Sequence, residues 1–214
     1  MMKGVYVVLR CNLVFLLFKK SILNYMNKNN IININKVPLI IYILSSIILV
    51  YLFHNTIKKK KLKTDIIIPQ ISQTGMKNFN KKAYYIYLIS FLIIGLLTSN
   101  LYWNQYEIKG KHILTKILQF IGLIACFLNI VQGYYSLDTH KKLHEMSAYG
   151  GIFLHLLVLS IWLYYNRRKD LTIVIALSWL SILLMGPMDM INFNIGSIFQ
   201  RLCVFFLLLA LYMY

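Results

Sequence analysis

Six apolar stretches, each about 20 residues long, dominate the chain, at residues 37–57, 83–103, 113–135, 145–165, 171–190 and 195–214. A bilayer's hydrocarbon core is about 30 Å thick and an α-helix rises about 1.5 Å per residue, so each stretch is long enough to cross it. Inside lipid the backbone must satisfy its own hydrogen bonds, which leaves helices or closed barrels. These stretches are continuously apolar rather than alternating, so helices are expected. The expected fold class is therefore all-α: a polytopic membrane protein with a six-transmembrane-helix bundle.

Composition agrees. The chain is 59% hydrophobic, against about 45–50% for soluble domains. Its formal net charge of +17 suits either nucleic acid or an anionic membrane surface. The Lys and Arg residues lie mostly between the apolar stretches, which favours membrane lipids as partners, with other membrane proteins beside them, and no nucleic acid. Both flanks carry nearly equal basic charge, so the positive-inside rule does not orient the chain. Cys11, Cys126 and Cys203 are far apart within apolar sequence and read as small apolar residues rather than a disulfide or metal framework.

Residues 5–18 are apolar but short, and Arg10 and Asn12 interrupt them. They are read as part of an N-terminal extension, 1–36, and not as a span; a signal-peptide-like segment and a seventh helix are the other readings. Residues 37–214 then form one transmembrane domain, whose single long connection is the loop at 58–82.

That loop holds Pro69-Gln70-Ile71-Ser72-Gln73-Thr74-Gly75. Pro69 fixes its own φ and drives Ile68 toward extended backbone. Gly75 permits a positive φ, and Ser72 and Thr74 can bond local backbone. The loop is expected to fold against the helix ends. Polar residues inside the spans form a second group: Gln119, Asn129 and Gln132 in the third span and His155 in the fourth. His155 is expected to bond one of those three across the bundle. His144 and Glu145 open the fourth span and are expected to meet the loop, since an even number of crossings separates them. Asp138, His140 and His144 have a spacing that metal sites use, with both His on one helix face; an interfacial polar cluster is the preferred reading. Gly186-Pro187-Met188-Asp189 is expected to kink or end the fifth span, with Asp189 placed to pair with Arg201.

The Pro-x-Ile-Ser-x-Thr-Gly segment after a first span resembles the signature of a known family. That family comprises the damage-regulated autophagy modulators (DRAM), the FGF-receptor-activating protein and the fungal suppressor of a phosphatidylinositol-4-kinase defect. A related branch is the post-GPI-attachment factor of GPI-anchor lipid remodelling. Tyr102-Trp103-Asn104-Gln105-Tyr106 resembles the Tyr-Trp-Asn-x-Tyr of the remodelling branch. Gly122-Leu123-Ile124-Ala125-Cys126-Phe127 resembles the Gly-x-x-x-Cys-Phe of the autophagy branch, and His144-Glu145 resembles a pair found in both. Met76-Lys77-Asn78-Phe79-Asn80 stands where the family has Pro and Glu, and Gln200-Arg201-Leu202 where it has an acidic-aromatic pair.

The resemblance implies six helices, a lumenal or extracellular loop, and a place in the endoplasmic reticulum, Golgi, lysosome or plasma membrane. It implies handling or regulation of membrane lipids, GPI-anchor lipid remodelling included, or autophagy regulation without catalysis. Pro69, Ile71, Ser72, Gly75, His144 and Glu145 are the expected lipid and loop site. No catalytic residue, metal or cofactor is assigned, because no nucleophile elbow, phosphate loop or dinucleotide fingerprint occurs. Two alternatives remain: a membrane-embedded lipid hydrolase or acyltransferase using His140, His144 and Asp138, and an energy-converting subunit with haem near His155.

Overall fold

The computed structural model describes residues 36–212; the apolar segment at 5–18 lies outside the described residues. Among these, all regular structure is helical: α1 (Val37–Lys60), α2 (Ile71–Thr74), α3 (Lys81–Gln105), α4 (His112–Tyr134), α5 (Lys141–Asn166), α6 (Lys169–Ile191) and α7 (Phe193–Tyr212). Every helix but α2 is long and apolar enough to cross a membrane. The six long helices match the six apolar stretches to within a few residues at each end, and side-chain caps mark the starts of two of them, α3 and α7.

Those caps are specific. Lys61 ends α1 in the left-handed region at φ 51°, and its amide bonds back to the carbonyls of Ile57 and Lys58. Lys58, Lys59 and Lys60 fill the last turn of α1, where the helix dipole favours cations. Asn80 caps α3, its Oδ1 accepting from the Ala83 amide at 3.1 Å, while its Nδ2 donates to Thr56 Oγ1 at 2.7 Å. One side chain thus starts α3 and fastens it to the end of α1. Asn192 alone separates α6 from α7, and its Oδ1 accepts the Asn194 amide at 2.9 Å, the usual work of an N-cap. Pro187 does not end its helix as expected: α6 runs through it to Ile191. Having no amide hydrogen, Pro187 leaves the Leu183 carbonyl without its helical donor.

The long helices form a closed ring. Each packs against its neighbour in the chain, and α7 returns to α1, where Tyr42 donates to the Arg201 carbonyl at 3.0 Å. Only 28–44% of each span's most apolar window is buried inside the protein. The outward faces carry exposed Leu44, Ile47, Phe120 and Leu183, an apolar surface that a bilayer satisfies and water does not. The protein is an integral, multi-pass membrane protein. The ring places the α1–α3, α4–α5 and α6–α7 connections together at one end of the bundle, and the functional candidates gather beneath them.

Candidate functional site

The 65–75 segment is held mainly by side chains of α6 and α7, with His54 Nε2 of α1 at 2.8 Å from the Ile67 carbonyl. Asn194 Oδ1 accepts the amides of Ile67 and Ile68 at 2.8 and 3.0 Å, and its Nδ2 donates to the Asp65 carbonyl. Arg201 Nη2 donates to the Pro69 carbonyl at 2.8 Å. Gln200 Oε1 accepts the Ile71 amide, also at 2.8 Å. Gln70 Nε2 donates to Asp189 Oδ2 at 2.8 Å. Apart from the single turn of α2, the backbone of this segment is bonded by side chains of α7. The expected Asp189–Arg201 ion pair does not form. Each residue is committed to the loop instead, and the ion pairs among the described residues are Lys141–Glu145 and Arg168–Asp170.

Gly75 has φ −95°, so the positive φ expected for it is absent. Its lack of a side chain serves close packing: an added Cβ would lie 2.5 Å from Cγ of Tyr87. Tyr87 in turn packs near the His144 ring, centroid to centroid 6.3 Å. Thr74 Oγ1 donates to the Ile71 carbonyl at 2.6 Å and closes the single turn of α2.

A cavity of about 240 Å³ lies inside the ring, beneath this loop. Near the loop it is lined by Gln70, Ser72, Lys141, His144, Glu145 and Gln200. Ile94, Val204, Leu207 and Leu208 line its apolar length, and Asn129 and His155 its deeper part. His144 and His155 are eleven positions apart on α5, or about 16 Å along a helix. The cavity is therefore long and narrow. Of the expected site residues, Ile71, Ser72, His144 and Glu145 line it, as do Asn129, Gln132 and His155. Pro69 and Gly75 are buried in the loop beside it. Gln119 lies elsewhere, its Nε2 donating to the carbonyls of Trp103 and Tyr106.

His155 is fully enclosed and bonded at both ring nitrogens. Asn129 Nδ2 lies 2.9 Å from Nε2, and Tyr102 Oη 2.8 Å from Nδ1. An amide nitrogen only donates, so Nε2 accepts and Nδ1 carries the proton toward Tyr102. The Tyr102 and His155 rings also stack, 13° from parallel. Two glycines make this crossing possible. A Cβ on Gly122 would lie 2.6 Å from Tyr102 Cγ, and one on Gly151 would lie 2.7 Å from Asn129 Oδ1. With both nitrogens engaged, His155 offers no lone pair to a haem iron.

His144 is different. Its Nδ1 is 2.7 Å from the Tyr135 carbonyl, an acceptor only, so Nδ1 carries the proton. Its Nε2 is buried and has no hydrogen-bond partner. The expected pairing of His140 with His144 on one helix face is not observed, because α5 begins at Lys141 and His140 is its non-helical cap at φ −141°. His140 is exposed, beside Thr139 and edge-on to Tyr135. Asp138 turns toward the 76–80 loop and accepts the amides of Lys77 and Asn78 at 3.0 and 2.6 Å. Partial burial opposes its ionisation, but bonding from Ser136 and from those amides outweighs it and holds the carboxyl below its ordinary range. Among the described residues no three His, Cys, Asp or Glu side chains converge as metal ligands would. The triad of Asp138, His140 and His144 required by the hydrolase reading is not assembled.

The residues that sequence reasoning passed over are Asn194 and Gln200, and it gave Arg201 the wrong partner. A signal for them existed: three polar side chains within eight positions of an apolar span are costly unless bonded. No family model matches the chain, and neither a curated protein nor a solved structure does.

Proposed function

We propose that this multi-pass membrane protein handles or regulates membrane lipids of the secretory and endolysosomal system. The observation that carries the reading is the intrabundle cavity. It is polar where the 65–75 loop meets α5 and α7, and behind that end Ile94, Val204, Leu207 and Leu208 form an apolar wall, with Thr98, Asn129, Gln132 and His155 as the polar groups opposite. A lipid has the same arrangement, a polar group at one end and a chain behind it. At about 240 Å³ the cavity is smaller than the roughly 300–1,000 Å³ that takes a whole drug-sized ligand. It therefore suits one end of a lipid whose remaining tail leaves between helices into the bilayer. Of the residues in the motifs that resemble the lipid-remodelling and autophagy branches, His144 lines the cavity and Tyr102 bonds His155 behind its wall.

Quantitative mass spectrometry of lipids co-purifying with the full chain tests the reading. Ala148 lines the cavity, and Ala148→Phe would fill it. A defined lipid enriched on the wild type and depleted on Ala148→Phe is the expected result. The same bulk lipids on both proteins would defeat the lipid reading and favour a regulator of autophagy that acts through protein partners.

A further inference from the structure

We infer that the cavity selects an uncharged lipid carrying a free hydroxyl, of the diacylglycerol type, and that His144 Nε2 is the acceptor for that hydroxyl; this rests on the lipid-handling reading above. Three features of the cavity lead there. First, the Tyr135 carbonyl takes the Nδ1 proton, so the neutral ring presents Nε2 as a lone pair. Second, that nitrogen is enclosed, without a partner, on a side chain only 1% exposed. A buried acceptor left unmet is unfavourable, and native interiors rarely leave one so. A donor completes it. Third, the charged residues lining the cavity are Lys141 and Glu145 alone, which face each other at 3.9 Å. Their charges cancel, so no surplus cation is present to hold a phosphate. An uncharged group with an O–H donor fits this lining, and a phosphate does not.

Two buried groups lining the cavity lack a partner, His144 Nε2 and the Thr98 hydroxyl; the hydroxyl can itself donate, whereas Nε2 can only accept. Both nitrogens of His155 are already bonded, and Gln132 is turned to the Tyr87 hydroxyl at 3.0 Å. Ser72, on the short α2 and buried, lines the same cavity and supplies a second hydroxyl at the polar end. The apolar length formed by Ile94, Val204, Leu207 and Leu208 then takes the first methylenes of an acyl chain.

The test uses the full chain in phosphatidylcholine bilayers doped with diacylglycerol, with its O-methyl ether, or with phosphatidic acid. Lipid retained per protein after purification is read by mass spectrometry. The ether differs from diacylglycerol only in replacing O–H by O–CH₃, so the comparison is made on the wild-type protein and needs no variant to fold. Diacylglycerol should be retained roughly tenfold over the ether, the order expected when a buried acceptor gains or lacks its donor. His144→Asn keeps a donor for the Tyr135 carbonyl but removes Nε2, and should abolish that preference. Equal enrichment of diacylglycerol and ether over phosphatidylcholine would overturn the hydroxyl proposal and leave the lipid reading standing. Preference for phosphatidic acid, or a hydroxyl preference that survives in His144→Asn, would overturn it as well. Enrichment of no dopant would remove both.

Discussion

Gly75 and Tyr87 show how little room the site leaves. The glycine is needed for contact and not for backbone freedom, since its φ is negative and the Tyr87 ring occupies the space a Cβ would take. Gly75→Ala must push either the ring or α2, and overpacking of that kind costs about 1–3 kcal/mol. Tyr87 touches His144, so the displacement reaches the cavity. Thermal unfolding of the purified variant in detergent should show a clear loss of stability, and an unchanged midpoint would contradict the packing described. The sequence marks Gly75 as special, but the usual reason for a loop glycine, a left-handed turn, is not the reason here. A close approach between residues twelve apart cannot be seen without the fold. The same holds for His155, whose partner among Gln119, Asn129 and Gln132 depends on which residue of α4 faces α5.

At the scale of elements, the loop and the helices hold one another by side-chain bonds to backbone. Asp138 connects the α4–α5 corner to the start of α3 through the Lys77 and Asn78 amides. Its carboxyl titrates below its ordinary value in the folded protein, so ionised Asp138 favours the folded state. That contribution is fully present above the unfolded value of about 3.9 and is lost as pH falls through the lower folded value. Wild-type protein should lose more stability than Asp138→Asn on acidification below about pH 4. At neutral pH the wild type should be the more stable, by a modest amount because the group is largely solvated. Parallel pH–stability curves for the two proteins would show that the contact contributes nothing. Asp138 could be noticed in the sequence, but its role could not: a carboxylate near two His suggests a metal, whereas the fold gives it two amide donors from a different loop.

At the scale of the molecule, the ring of six spans sets a topology. The connections holding Thr64 and Asp138 fall at one end, and those holding Lys109 and Arg167 at the other. Thr64→Cys and Lys109→Cys, each in a background without the native cysteines, should therefore differ in sealed vesicles. A membrane-impermeant maleimide should label one and not the other. Labelling of both in intact vesicles would show that the helices do not all cross. Near-equal basic charge at the two ends leaves the orientation to this measurement.

The number, length and approximate limits of the spans were determined by sequence alone. Lipid tolerates no unpaired backbone, so a continuous apolar run of about 20 residues has one available structure. The same property hides the rest. A helix that is apolar on nearly every face carries no stripe from which its rotation can be read, so the partners of its few polar residues are undetermined until the helices are placed. Closure of α7 onto α1 brought Asn194, Gln200 and Arg201 to the 65–75 loop, residues more than a hundred positions apart. Helix α5 begins one residue after His140, and that start parted His140 from His144 and left the His144 Nε2 enclosed beside a cavity. Those decisions belong to tertiary packing, because they depend on distances between segments that no local pattern encodes.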